Sequence, residues 1–193
     1  MWKDILYFEI QQGFKKVSVW VYFIIFFALA FLIANILGGA FTGASIVIGN
    51  QGTNVNSPLL IAELQTDFTI FGVLICAAIF GNAGYRDYET NMHPLIFTTP
   101  IKPASYYSGR FLGSFFLTIF IQLGITLGLA IGFLMPYLDQ DAIGIFRLDA
   151  YLHPIFVMVI PNVFLVGAIL FSLAILSRRM LPTYLASVIL LFG

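Results

Sequence analysis

The chain has 193 residues, 60% of them hydrophobic and 9% charged, and its formal net charge is zero. A soluble domain is roughly 45–50% apolar and about 25% charged, so a water-soluble fold of this size is excluded and a bilayer must solvate most of the apolar surface. The zero total selects no partner and no nucleic acid is expected, so the placement of charge along the chain carries the information. The single cysteine, Cys76, sits in an apolar run. It excludes an intrachain disulfide or a cysteine metal cluster and reads as a small packing residue.

In chain order, residues 1–16 come first. If helical, they place Trp2, Leu6, Ile10 and Phe14 in one stripe, with Asp4, Gln11, Gln12, Lys15 and Lys16 mostly opposite and Ile5 and Phe8 off the pattern. Such a helix lies in a membrane interface, with Trp at the headgroups and lysines toward anionic lipid. A helix crosses the hydrocarbon core with about 20 apolar residues, and the stretch 17–37 is uncharged and long enough. The stretch 38–57 is rich in Gly, Asn, Thr and Ser and reads as an irregular external loop. Its Gly49-Asn50-Gln51-Gly52 lacks the Lys-Ser/Thr of a phosphate loop. A second span is expected over 68–84, with a start as early as Leu59 and with Glu63 and Asp67 toward the interface.

Next comes Arg86-Asp87-Tyr88-Glu89-Thr90, then Leu95-Ile96-Phe97, then two prolines bracketing Ile101-Lys102. The prolines prevent one long helix. A short helix, an extended bend and a new helix are expected, and the short helix suits either a docking partner or a solvated loop. Further spans are expected over 111–135 and 154–176, and a fifth begins near 181. Only about 12 residues remain for it, so the domain 17–193 is expected to be an incomplete transmembrane domain. The loop 136–153 is acidic, with Asp139, Asp141 and Asp149, but lacks the later ligands of a calcium loop. No stretch alternates as a membrane barrel strand does. The expected fold is an all-α polytopic transmembrane bundle with an N-terminal interfacial helix.

Of nine basic residues, Lys3, Lys15, Lys16, Arg86, Lys102, Arg110, Arg178 and Arg179 fall on one side of these spans and Arg147 on the other. Lysine and arginine mark cytoplasmic loops, so the N-terminus is expected in the cytoplasm. The first apolar run is longer than a signal peptide's, so it is expected to stay as an anchor.

No Asp, Glu, Lys or Arg lies at mid-depth in the first, third or fourth span, which argues against a proton pump or ion-coupled transporter. Asn35, Asn82, Gln122 and Asn162 are the notable polar side chains. Such groups hydrogen-bond between helices or line a substrate path, for which Asn82, Gln122 and Asn162 are the candidates. Asn162 follows Pro161, where a kink is expected. Gly124, Gly128 and Gly132 recur every four residues and allow close helix contact. His93 and His153 fall on opposite sides, so they form no common metal or haem site. No HExxH, GxSxG or Walker motif occurs; no catalytic residue, metal ligand or cofactor is expected, and the chain is not expected to be an enzyme.

The order of an amphipathic N-terminal helix, a span, an external loop, a second span and a charged loop resembles the type-2 permease family of ABC transporters. The local match is Arg86-Asp87-Tyr88-Glu89-Thr90, then Leu95-Ile96-Phe97-Thr98-Thr99-Pro100-Ile101, then Gly109-Arg110. Relative to the family pattern, the glycine before Thr90 is missing and Arg110 replaces a common Lys. The resemblance implies a connecting helix over 1–16 and a coupling helix over about 86–97. In it, Arg86, Asp87, Glu89, Thr90, His93, Leu95 and Phe97 would meet a separate ATP-binding cassette subunit, which hydrolyses the ATP. It also implies a second permease half, as homo- or heterodimer, and export across a bacterial inner membrane. The wording Met92-His93-Pro94 and Phe97-Thr98-Thr99-Pro100 is similar to bacterial chains that fuse such a permease to a zinc aminopeptidase-like domain. A membrane scaffold anchoring a further domain is the alternative reading.

Overall fold

The computed structural model describes residues 2–40, 54–92, 102–138 and 143–192. Among them there is no strand, and the fold is an all-α, polytopic membrane fold. The elements are α1 (Trp2–Lys15), α2 (Val17–Leu37), α3 (Pro58–Glu89), α4 (Pro103–Phe133), α5 (Leu148–Pro154), a π-helix (Ile155–Val159), α6 (Ile160–Ser177) and α7 (Leu181–Phe192). The helices α2, α3 and α4 and the run Leu148–Ser177 are each long and apolar enough to cross a membrane. The apolar α7 has 12 residues.

The boundaries follow from local chemistry. α2 coincides with the expected span because it is apolar all round. It stops where Gly39 adopts φ 80°, with Ala40 N–H donating to Asn35 O at 3.0 Å and Gly39 N–H to Ile36 O at 3.2 Å, a Schellman ending. α3 starts at Pro58, one residue before the early start expected at Leu59, and has 32 residues, about 48 Å of helix at 1.5 Å per residue. Its first turns are amphipathic: Ile61, Leu64, Gln65 and Phe68 are buried, while Glu63 and Asp67 are exposed. Charges that end an apolar window therefore do not end the helix. Ser57 Oγ accepts from Leu60 N–H at 3.4 Å, and Pro58 takes the first helical position. At the other end, Asn91 (φ 53°) stops α3, with Met92 N–H bonded to Asp87 O at 3.0 Å and Asn91 N–H to Tyr88 O at 3.3 Å.

α4 likewise begins with a proline, Pro103, eight residues before the expected 111. The fourth span begins at Leu148 rather than 154, and its irregularity is not a kink at Pro161 alone. The π-helix lies between Pro154 and Pro161, and Ile160 N–H bonds Ile155 O, five residues back. Pro161 has no N–H to continue the regular ladder, and the widened turn accommodates that loss.

Two compact units make up the chain: Met1–Val19, Ile70–Ile119 and Asn162–Gly193 form one, and Trp20–Thr69 and Phe120–Pro161 the other. In the second unit, α2 packs on α4 through Gly124, Gly128 and Gly132. A Cβ on Gly128 would stand 2.5 Å from Phe27 O, and one on Gly132 2.5 Å from Ala34 Cβ. Phe23 and Phe120 stack at 4.9 Å beside this seam. Asn56 latches the segment before α5, donating to Gly144 O at 2.7 Å and accepting from Gly144 N–H at 2.8 Å. In the first unit a phenylalanine cluster joins α3, α4 and α6, with Phe111 centred 5.4 Å from Phe80, 5.5 Å from Phe164 and 5.7 Å from Phe171. Gly84 lets α6 approach, since a Cβ there would lie 2.7 Å from Ala174 Cβ. Cys76 is buried and free, as a packing residue is.

Candidate functional site

The densest polar chemistry among the described residues lies in the first unit, where α1, the end of α3 and the start of α4 meet. α1 reaches α4 along Ile5, Glu9 and Gly13 rather than along the stripe that begins at Trp2. A Cβ on Gly109 would sit 2.9 Å from Ile5 Cβ, and one on Gly113 2.5 Å from Glu9 Cβ. Gly13 lies against Leu117. Ile5, Glu9 and Gly13 make the docking face, while of the expected stripe Trp2 and Phe14 are exposed and Leu6 and Ile10 half-buried.

That close approach carries Glu9 into a network of charges. Glu9 Oε1 lies 2.5 Å from Arg86 Nη2 and 3.2 Å from Arg110 Nε. Arg110 Nη1 pairs with Asp87 Oδ2 and donates to Tyr106 Oη at 3.0 Å. Tyr106 Oη–H donates to Asp87 Oδ2 at 2.9 Å. Lys16 Nζ donates to Asn82 Oδ1 at 3.2 Å. The Arg110 side chain is 1% exposed, and such a charge is tolerated only when paired. Its pairing is incomplete: Nε is near Glu9 but out of hydrogen-bond alignment, and Nη2 has no hydrogen-bond partner. Partial burial holds the Lys16 ammonium below its ordinary pKa; the neighbouring Arg86 and Arg110 push the same way and Glu9 opposes.

The expected coupling residues are distributed as follows. Arg86, Asp87 and Glu89 belong to the last turn of α3, not to a separate helix. Arg86 and Asp87 point into the network, whereas Glu89 and Thr90 are exposed and Thr90 Oγ1 donates to Arg86 O at 2.9 Å. His93, Leu95 and Phe97 lie outside the described residues. Glu9, Tyr106 and Arg110 complete the site beyond the expected coupling residues; the available signals were a mid-helix carboxylate, Glu9, and the spacing Gly109-x-x-x-Gly113.

The candidates for a substrate path belong to different units. Asn82 binds Lys16 in the first unit, where Asn162 is half-buried on α6. Gln122 is buried in the second unit, with its Oε1 3.2 Å from Thr69 Oγ1. That hydroxyl already donates to Gln65 O at 2.7 Å, and it has one proton. The opposite amide orientation, with Gln122 Nε2–H donating to Thr69 Oγ1, satisfies the otherwise unpartnered nitrogen. Asn35 bonds Phe31 O within α2 and accepts from Tyr137 Oη–H at 2.5 Å. Among the described residues no three His, Cys, Asp or Glu side chains group as metal ligands. Asp149 instead pairs with Arg147 at 2.7 Å in the open, and Asp139, Asp141 and the 49–52 stretch lie outside the described residues.

Comparison with family models, with curated proteins and with solved structures gives no match.

Proposed function

We propose that the chain is the membrane permease subunit of an ATP-driven ABC exporter in a bacterial inner membrane, N-terminus in the cytoplasm, paired with a second permease half. ATP hydrolysis belongs to a separate cassette subunit that meets the segment following α3. One observation carries this reading: the Glu9–Arg86–Asp87–Arg110 network clamps α1 and α4 to the last turn of α3, directly before that segment. A push on residues 90–101 is then delivered to three helices at once. Rocking between inward and outward states follows from such a rigid-body input. Arg86 and Asp87 act as positioning residues, and the exposed Glu89 and Thr90 begin the docking surface.

The test is purification of the full-length protein from its native membranes in mild detergent. A co-purifying ATP-binding cassette subunit, lost when residues 90–101 become a Gly-Ser linker, is the expected result. The linker spares Arg86 and Asp87, so the spans stay clamped. Purification without any nucleotide-binding partner overturns the reading in favour of an anchoring scaffold.

A further inference from the structure

We infer that the face built by Lys16, Arg86 and Arg110 binds the phosphate of an anionic phospholipid. The network sets three cations against two carboxylates, Glu9 and Asp87, which leaves one positive charge uncompensated. Arg110 Nη2 is buried and unpartnered. By covalent geometry it sits between Nε, which faces Glu9, and Nη1, which faces Asp87. A buried donor left unsatisfied is costly, more so when charged, so the network as it stands is short of one acceptor. A phosphate oxygen fits that need, directly or through one bridging water.

The approach is from the side of Lys16 and Arg86, with Arg110 Nη2 buried beneath them. Lys16 is exposed and the Arg86 side chain is 28% exposed, and an anion placed there would offset the repulsion among these cations, which adds to the effect of partial burial on Lys16. Position selects a lipid over a soluble anion. Lys16 immediately precedes Val17, the first residue of a membrane-length helix, and α1 leaves Trp2, Tyr7, Phe8 and Phe14 exposed beside it, as residues at a headgroup layer are. Basic pockets between span ends are the usual seats of lipid phosphates. The inference concerns lipid alone and stands or falls independently of ATP-driven transport.

The experiment titrates the purified full-length protein in neutral detergent with phosphatidylglycerol, phosphatidylcholine or inorganic phosphate. Bound lipid is counted by native mass spectrometry and the thermal midpoint is followed in parallel. Phosphatidylglycerol should bind and stabilise at least about fivefold more tightly than phosphatidylcholine, the worth of about one interfacial charge. Lys16→Gln should abolish that preference and Lys16→Arg restore it. Lys3→Gln, outside the network, should leave it intact. Equal binding of the two lipids by the unaltered protein overturns the proposal without recourse to any variant. So does equal stabilisation by inorganic phosphate, which would make the face a free-anion site.

Discussion

Arg110 holds three helices through a single guanidinium, pairing with Asp87 and lying beside Glu9, which also pairs with Arg86. Arg110→Ala takes the ion pair from the largely buried Asp87, while Glu9 keeps Arg86. The expected loss is about 3–5 kcal/mol, the usual cost of removing one partner from a buried pair. Arg110→Lys should recover only part, because an ammonium cannot span Glu9, Asp87 and Tyr106 together. Thermal midpoints in detergent check both. Arg86→Ala should cost much less, since its side chain is partly solvated. Lys16 gives a pH signature. Its folded-state pKa is below the ordinary 10.5, so the folded chain disfavours the protonated form. Stability should therefore rise as pH climbs through the lowered value toward 10.5, and Lys16→Gln should remove that rise. Midpoints of the two proteins across the alkaline range decide it. Arg86 and Asp87 were legible as a charged cluster, but their inward direction was not. A carboxylate such as Glu9 on a short amphipathic helix normally faces solvent, and Gly113 opposite it, with Gly109 opposite Ile5, brings it inside.

At the scale of the helix, apolar continuity was read well and helix length poorly. Val17–Leu37 has no charge to blur its ends, so composition alone bounds it. α3 and α4 overrun their apolar windows because the extra turns are amphipathic and packed on one side, as Glu63 and Asp67 on α3 illustrate. The glycine repeat on α4 was legible as a packing signal, and its partners on α2 are Phe23, Phe27, Ala30 and Ala34. Gly128→Val should wedge α2 from α4, because the new side chain meets the Phe27 carbonyl, a backbone atom with little room to yield. A loss of about 1–3 kcal/mol is expected for such overpacking. It is readable as a lower melting midpoint, with Gly124→Ala as the milder comparison. The π-helix was signalled only as two prolines seven residues apart, because periodicity carries no mark of a widened turn.

For the molecule as a whole, composition was decisive: the excess of apolar residues over charged ones specifies a membrane fold whatever the details. How a push at one end would reach the spans was not legible, since it depends on contacts between residues as distant in sequence as Glu9 and Arg110. On the proposed function, Glu9→Gln should leave the cassette subunit bound, because residues 90–101 are untouched. Transport per ATP hydrolysed should fall severalfold as the clamp loosens. Measuring both rates in proteoliposomes separates this outcome from simple loss of assembly, in which ATPase stimulation disappears as well.

The clamp also sets an order of events during synthesis. Glu9 leaves the ribosome about 100 residues before Arg110, the residue that seats it in the folded chain. At roughly 5–20 residues per second, α1 spends about 5–20 s without its arginine partner. During that interval its exposed Trp2, Tyr7, Phe8 and Phe14 have the nascent membrane surface as their available apolar contact. A ribosome stalled before residue 110 should carry an N-terminal segment more open to protease than one stalled well beyond residue 133.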